Sequence, residues 1–153
     1  MKTNSAPDRP PGAALALLGL GCAAGLLGLT GVAAAGTWTN LVGVPVSPAG
    51  RWWIRIFGVR ELCLALALGR AAASADGQLA TTALDMVMLA QIGDIPITSV
   101  MAIRGHLPRR LLVGVWATSL PSLLIAVSAR QAYAAARRPR INGRVRAPED
   151  RPR

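Results

Sequence analysis

The feature that most constrains this chain is a long stretch without charge, because no Asp, Glu, Lys or Arg occurs between Gly12 and Gly50. Residues 130–153, in contrast, contain eight of the 17 basic side chains. The chain is 52% apolar with a mean hydropathy of +0.41, although its formal net charge is +10. A soluble domain spreads its charges over its surface, so this segregation predicts an all-α integral membrane protein.

The first apolar run, residues 13–35, is long enough to span a bilayer by itself. At about 1.5 Å per residue, a helix of this length exceeds the hydrocarbon core of about 30 Å. A cleaved signal peptide is the alternative, because Lys2 and Arg9 precede the run and residues 33–35 are all alanine, as in a small-residue cleavage site. The apolar region of a signal peptide has only about 7–15 residues, so we predict a retained helix.

Three further apolar segments predict a bundle of four transmembrane helices within one domain, residues 13–130. The second helix covers residues 52–69 and carries charged side chains in its first half. The fourth covers residues 110–130 and can continue as an interfacial helix until Pro139 stops it.

The third helix has two possible ends. It ends near Ile92, too short to span without tilt or thinning of the bilayer, or it runs to Ile103 with a kink near Pro96. We favour the kinked helix, residues 78–103.

The basic residues predict a multi-pass protein of the cell membrane with both termini in the cytoplasm. In this topology eleven basic residues lie on the side of the termini and five on the opposite side, a bias that the positive-inside rule assigns to the cytoplasm. All four tryptophans would lie at the outer boundary, as an aromatic belt: Trp38, Trp52, Trp53 and Trp116.

Both tails are predicted to be disordered, residues 1–12 at the N-terminus and residues 131–153 at the C-terminus. The C-terminal tail is rich in arginine and proline and has few apolar side chains to bury. Each basic residue near an anionic lipid surface gains about 1 kcal/mol, which makes anionic lipids the expected partner of this tail. Apart from Tyr133 the tail lacks interleaved aromatic residues, so no nucleic-acid binding is predicted.

Small residues on the first helix predict close helix packing. Gly21 and Gly25 form a G-x-x-x-G pair, and Gly28 continues the same surface. We interpret this surface as internal packing against the second or fourth helix rather than as a dimer face, because the motif is common in apolar helices.

Four ionisable residues at membrane depth form the candidate polar cluster: Arg60, Glu61, Asp85 and Asp94. A charged side chain at the centre of a membrane helix costs about 2.5–3.5 kcal/mol, so each should face the bundle interior, a partner or water.

The end of the third helix decides the partner of Arg60, which lies about 12 Å from the outer end of its helix. Asp85 is at the matching depth if the third helix ends near Ile92, and Asp94 if it reaches Ile103. Glu61 lies about 100° further round the helix and is expected to face a different neighbour. A proton, substrate or ion site and a structural latch both remain open for the cluster.

Common catalytic and metal-binding motifs are missing from the sequence. It contains no H-E-x-x-H, G-x-x-x-x-G-K-[ST], G-x-S-x-G or C-x-x-C, and its one histidine, His106, is predicted to be a solvated turn residue. Cys22 and Cys63 lie in apolar helices, where reduced cysteine packs as a small hydrophobe. We therefore expect no metal site and no cofactor.

Two segments carry a resemblance to a known family. Residues 41–45 read Leu-Val-Gly-Val-Pro, and residues 55–62 end in the block Gly-Val-Arg-Glu-Leu, which opens a Leu/Ala-rich run to Gly69. These segments resemble the DUF4267 family of small four-helix membrane proteins and, more distantly, DoxX-like proteins, over residues 13–127. The resemblance implies a four-helix membrane fold with Arg60, Glu61 and Asp85 as characteristic polar positions, and it implies no established activity.

Three classes of function fit these observations. The leading hypothesis is a non-enzymatic accessory or assembly component, whose partner is another membrane protein or a second copy of the chain. The second is proton- or ion-coupled transport through the polar cluster. The third is a small membrane enzyme for a lipophilic substrate, with Glu61 or an aspartate as acid or base and Arg60 as anion holder.

Overall fold

The computed structural model describes residues 10–42, 47–74 and 76–137. Within these ranges the chain is all-helical, as predicted, and the described residues contain no β-strand. Five helices follow one another: α1 (Pro11–Ala33), α2 (Ala35–Val42), α3 (Pro48–Ala73), α4 (Gly77–Ile103) and α5 (Arg109–Arg137).

Three helices in the described residues are long and apolar enough to cross a membrane: Gly12–Ala33, Gly77–Ile103 and Arg109–Arg137. The chain is therefore consistent with a membrane protein. α3 has a comparable length of 26 residues. It differs from the other three in its number of charged side chains: Arg51, Arg55, Arg60, Glu61 and Arg70.

Local sequence signals explain where α3 and α4 begin. Ser47 is the N-cap of α3, and its Oγ accepts a hydrogen bond from the backbone N–H of Gly50 at 3.2 Å, while Pro48 occupies the first turn. Asp76 caps α4 by accepting a hydrogen bond from the N–H of Gln78 at 2.7 Å. α3 therefore starts earlier than the predicted residue 52.

The short helix α2 is absent from the sequence prediction, which placed one helix over residues 13–35. The structure ends α1 at Ala33, because Ala34 leaves helical geometry with φ −128° and ψ 40°. The break lies within three consecutive alanines, residues 33–35, so no residue in the sequence marks the end of α1.

α4 continues through Pro96 to Ile103, which is the longer of the two predicted alternatives. Pro96 has no N–H to donate to the preceding turn. Hydroxyl groups bond carbonyls around the proline, since Thr98 Oγ1 donates to the carbonyl of Asp94 and Ser99 Oγ to that of Ile95, both at 2.6 Å.

The buried core lies near the turn that joins α3 and α4, and this side of the bundle is called the turn end below. Leu17, Leu68 and Leu84 are fully buried there and bring α1, α3 and α4 together. Tyr133 completes the core from α5. α1 packs most extensively against α3, and α4 against α5.

Glycines allow α1 and α3 to approach closely on the side away from the turn end. A Cβ atom on Gly58 would lie 2.8 Å from the carbonyl oxygen of Gly28 and 3.0 Å from the carbonyl carbon of Gly31. A Cβ atom on Gly21 would lie 3.3 Å from Leu68 Cβ, and one on Gly25 would lie 3.6 Å from Ala65 Cβ, so both positions face α3. The structure thus places Gly21, Gly25 and Gly28 on an internal contact with α3.

Both tails lie largely outside the described residues, which exclude 1–9 and 138–153. Their predicted boundaries shift where the structure describes them. α1 includes residues 11 and 12, and α5 extends past the predicted end of the span at 130 to Arg137, within the continuation up to Pro139 that the sequence allowed. Residues 131–137 continue the helix because they are mostly alanine, with one glutamine, one tyrosine and one arginine, and Tyr133 packs into the core.

Candidate functional site

The geometry of a helical hairpin brings Arg60 and Asp94 to a similar depth. Arg60 lies about 20 Å from the end of α3 at Ala73, and Asp94 lies about 26 Å from the start of α4 at Gly77, by the rise of an α-helix. The turn between the two helices is short, so the helices run antiparallel and the long arginine side chain spans the remaining offset.

Arg60, Glu61 and Asp94 form one network of ion pairs, called the triad below. Arg60 Nη1 donates to Asp94 Oδ1 at 2.8 Å, and Arg60 Nη2 donates to Asp94 Oδ2 at 2.7 Å. This is a two-point contact between a guanidinium group and a carboxylate, which fixes direction as well as distance. The contact joins α3 to α4.

Glu61 belongs to the same network, contrary to the expectation that it faces a different neighbour. Arg60 Nη2 also donates to Glu61 Oε1 at 2.6 Å. The positions are about 100° apart on the helix, but the flexible arginine side chain closes that angle. Glu61 is the most buried member, with 5% of its side chain exposed, against 24% for Asp94 and 35% for Arg60.

Phe57 covers the guanidinium group of Arg60, with 4.6 Å between Arg60 Cζ and the ring centroid. This cation–π contact shields the charge from its surroundings. The sequence carries a usable signal for it, because residues three apart on a helix are neighbours. Arg60 Nε is buried and has no hydrogen-bond partner among the described residues.

Asp85 does not join the triad, which corrects its place in the predicted cluster. Its carboxylate forms a separate ion pair with Arg130 of α5, in which Arg130 Nε donates to Oδ1 and Nη2 lies 3.4 Å from Oδ2. Both side chains are 45% exposed. Because α4 reaches Ile103, Asp94 takes the position beside Arg60, and Asp85 lies closer to the turn end.

The triad lies next to the apolar core, on the side away from the turn end. Leu64, one turn along α3 from Arg60, is buried, and so is Val87, two turns along α4 from Asp94. Among the described residues the buried side chains other than Glu61 and Ser119 are apolar, apart from the hydroxyl of Tyr133. No polar chain of described side chains continues from the triad through this core.

Other features of the described residues stand apart from the triad. An apolar groove of about 380 Å³ lies between α1 and α5 and is bordered by Ala13, Ala16 and Ala129. The hydroxyl of Tyr133 is buried without a partner among the described residues. His106 is exposed in the turn before α5.

The described residues contain no group of three or more His, Cys, Asp or Glu side chains that could hold a metal ion. No family model, curated protein or solved structure matches the chain. The resemblance to the DUF4267 family therefore stays a prediction from the residues that carry it.

Proposed function

We propose that the chain is a non-enzymatic accessory or assembly component of the cell membrane, built as a bundle of four transmembrane helices. In this proposal α1, α3, α4 and α5 cross the bilayer, both termini are cytoplasmic, and the turn end faces the cytoplasm. Its basic C-terminal tail contacts anionic lipid, and its partner is another membrane protein or a second copy of the chain.

The length of α3 and the pairing of its central charges support its place as a fourth span. The charges in the middle of α3 are Arg60 and Glu61, and both take part in the triad. Arg51 and Arg70 lie near its two ends, where a long arginine side chain can reach the interface.

The observation that carries the proposed function is that the three side chains of the triad bond to one another and thereby join α3 to α4. Asp94 meets Arg60 with both oxygens, and Glu61 meets the same guanidinium group. The Arg60–Asp94 pair is partly buried, and its two-point contact fixes how α3 packs against α4. The triad therefore supports a bundle with one defined shape, as a docking partner needs.

The apolar core argues against conduction through a single copy. A proton or ion that reached the triad would meet Leu17, Leu68 and Leu84, whose side chains are fully buried. Moving a charge through such a region without polar partners is strongly unfavourable. The apolar core thus favours a structural role for the triad over a role in transport.

Native mass spectrometry of the chain released from its own membrane in mild detergent tests this function. We expect a complex of fixed stoichiometry, either with another membrane protein or with further copies of the chain. Two variants that place tryptophan on different exposed apolar faces locate the contact: Leu15→Trp on α1 and Leu89→Trp on α4. Leu15 is 72% exposed and Leu89 is 74% exposed.

The expected result is that one of these two variants releases the partner while the other, its matched control, keeps it. Both variants should unfold at the wild-type temperature, because neither position is packed in the core. A chain that runs alone in every preparation, and that by itself transports or converts a solute in liposomes, would contradict the proposal.

A further inference from the structure

Arg55 is the one charged side chain of α3 that has neither an ion-pair partner among the described residues nor a place near a helix end. Arg60 and Glu61 are paired in the triad, and Arg51 and Arg70 lie near the two ends of the helix. Arg55 is exposed and lies about 10 Å along α3 from its first residue, by the helical rise. An unpaired charge at membrane depth is costly, so Arg55 needs a negative partner.

The triad has the opposite imbalance. One guanidinium group, that of Arg60, meets the two carboxylates of Glu61 and Asp94, so one positive and two negative charges leave a formal charge of −1. Asp94 is the more exposed of the two carboxylates. Arg60 follows Arg55 by five residues, which places the two charges about 7.5 Å apart in depth. Each copy of the chain thus carries one unmatched charge of each sign at nearby depths.

These two charges lie on different sides of α3 within one copy. Successive residues turn by about 100°, so Arg55 and Arg60 are about 140° apart around the helix. Asp94 is held on the Arg60 side by its two-point contact. The negative partner of Arg55 therefore has to come from outside the copy to which Arg55 belongs.

An exposed stripe of α3, called the α3 stripe below, lies between the two charges. Its residues follow one another at alternating intervals of four and three: Trp52, Ile56, Val59, Cys63 and Leu66. This is the spacing of the a and d positions through which two parallel helices pack together. A second copy in the same membrane orientation presents the same stripe to the first, as a two-fold interface requires.

The register of the α3 stripe brings the unmatched charges together. With Ile56 at position a, Arg55 is at position g and Arg60 at position e, on the two flanks of the stripe. In a parallel pair, the g residue of one helix lies beside the e residue of the next heptad in the other helix. Arg55 of one copy therefore reaches position 60 of the second copy, where Asp94 lies beside Arg60.

We propose that the chain pairs with a second copy through the α3 stripe, and that Arg55 of each copy binds the Asp94 carboxylate of the partner subunit. Each Arg55 then supplies the positive charge that the other triad lacks. The proposal rests on the proposed function and names its partner. α4 contributes Asp94 to this contact and carries Leu89, whereas α1 contributes no residue to it, so Leu89→Trp is the earlier variant that should release the second copy.

Oxidative cross-linking of the full chain at high dilution in liposomes tests the interface, because Cys63 lies within the α3 stripe. Two-fold symmetry brings the two Cys63 thiols together, and Cu(II)-phenanthroline takes up the electrons when they form a disulfide. We expect Cys22→Ser chains, which keep Cys63, to run as dimers on a denaturing gel without reductant. Cys63→Ser is the matched control and should stay monomeric, although the Cys22 that it keeps is also exposed.

A charge variant tests the contact between Arg55 and Asp94. Energy transfer between chains labelled at an added C-terminal tag measures the dimer dissociation constant in liposomes. Arg55→Leu should raise this constant about tenfold, the scale of one hydrogen bond to a charged group. Arg51→Leu is the matched control and should leave it unchanged, because Arg51 is an exposed arginine of the same helix that lies outside the α3 stripe and its flanks.

Two results would overturn the proposal: chains with Cys63 that stay monomeric under oxidation, or an Arg55→Leu variant that dimerises as tightly as wild type. The second result would assign Arg55 to the phosphate of a lipid headgroup. Either result leaves the proposed function standing, with another membrane protein as the partner. A misplaced α3 would overturn both proposals, and the cysteine labelling described in the Discussion detects it.

Discussion

At the scale of single residues, the shape of the Arg60 side chain matters as much as its charge. Its guanidinium group donates to both oxygens of Asp94 and to Glu61 from two nitrogen atoms. Lysine has the same charge, but its single ammonium group cannot reproduce this fork. The ion pair between α3 and α4 therefore depends on arginine itself.

We expect Arg60→Lys to lower the free energy of unfolding by about 2 kcal/mol, the scale of a hydrogen bond to a charged group. Denaturant titration in detergent micelles, followed by circular dichroism, measures it. Arg55→Lys is the control on the same helix, because Arg55 is exposed, and its effect should stay within about 0.5 kcal/mol. Equal stability of Arg60→Lys and wild type would show that the two-point contact does not hold α3 to α4.

The sequence identified the residues of the triad but not their pairing. Arg60, Glu61 and Asp94 were recognisable because charge is costly within apolar helices. The choice between Asp85 and Asp94 depended on the end of α4, which Gly93, Asp94 and Pro96 made ambiguous. No periodicity could show that Arg130 pairs with Asp85, because that contact depends on the packing of α4 against α5.

At the scale of the helices, Gly58 sets the distance between α1 and α3. A methyl group there would lie 2.8 Å from two backbone atoms, the carbonyl oxygen of Gly28 and the nitrogen of Val32. Backbone atoms cannot move aside as a flexible side chain can, so the helices would have to separate. Glycine at position 58 is therefore a condition for the close packing of this helix pair.

Gly58→Ala should destabilise the bundle by about 1–3 kcal/mol, the usual effect of overpacking. Gly69→Ala is a matched control on the same helix, because no atom lies within 4 Å of the added methyl group. Alanine is the better helix former by about 1 kcal/mol, so this control should be neutral or stabilising. The thermal midpoints of the two variants in the same detergent compare them, and a Gly58→Ala variant as stable as Gly69→Ala would refute the close packing.

Hydropathy predicted the long helices well and their ends less well. Apolar runs of sufficient length made α1, α4 and α5 recognisable, whereas α2 was missed because the break before it lies within three consecutive alanines, residues 33–35, which carry no stop signal. Ser47 and Pro48 form a start signal for α3 that was available in the sequence and was not used. Charge in the first half of α3 masked the length of that helix.

At the scale of the whole molecule, the central question is whether α3 crosses the bilayer together with the three apolar helices. If it crosses, the residues before and after it lie on opposite sides of the membrane. Asn40, in α2, precedes α3, and Ser74 follows its last residue. The bias of eleven basic residues against five predicts that Ser74 lies on the cytoplasmic side.

Single cysteines at these two positions, in a background with Cys22→Ser and Cys63→Ser, decide the question. An impermeant maleimide added to intact cells should label Asn40→Cys, and it should label Ser74→Cys only after the membrane is permeabilised. Arg104→Cys, at the end of α4, is the control and should behave as Asn40→Cys does, because in the proposed topology α4 returns the chain to the outer side. Labelling of Asn40→Cys and Ser74→Cys on the same side would show that α3 does not cross, and the triad would then lie outside the hydrocarbon core.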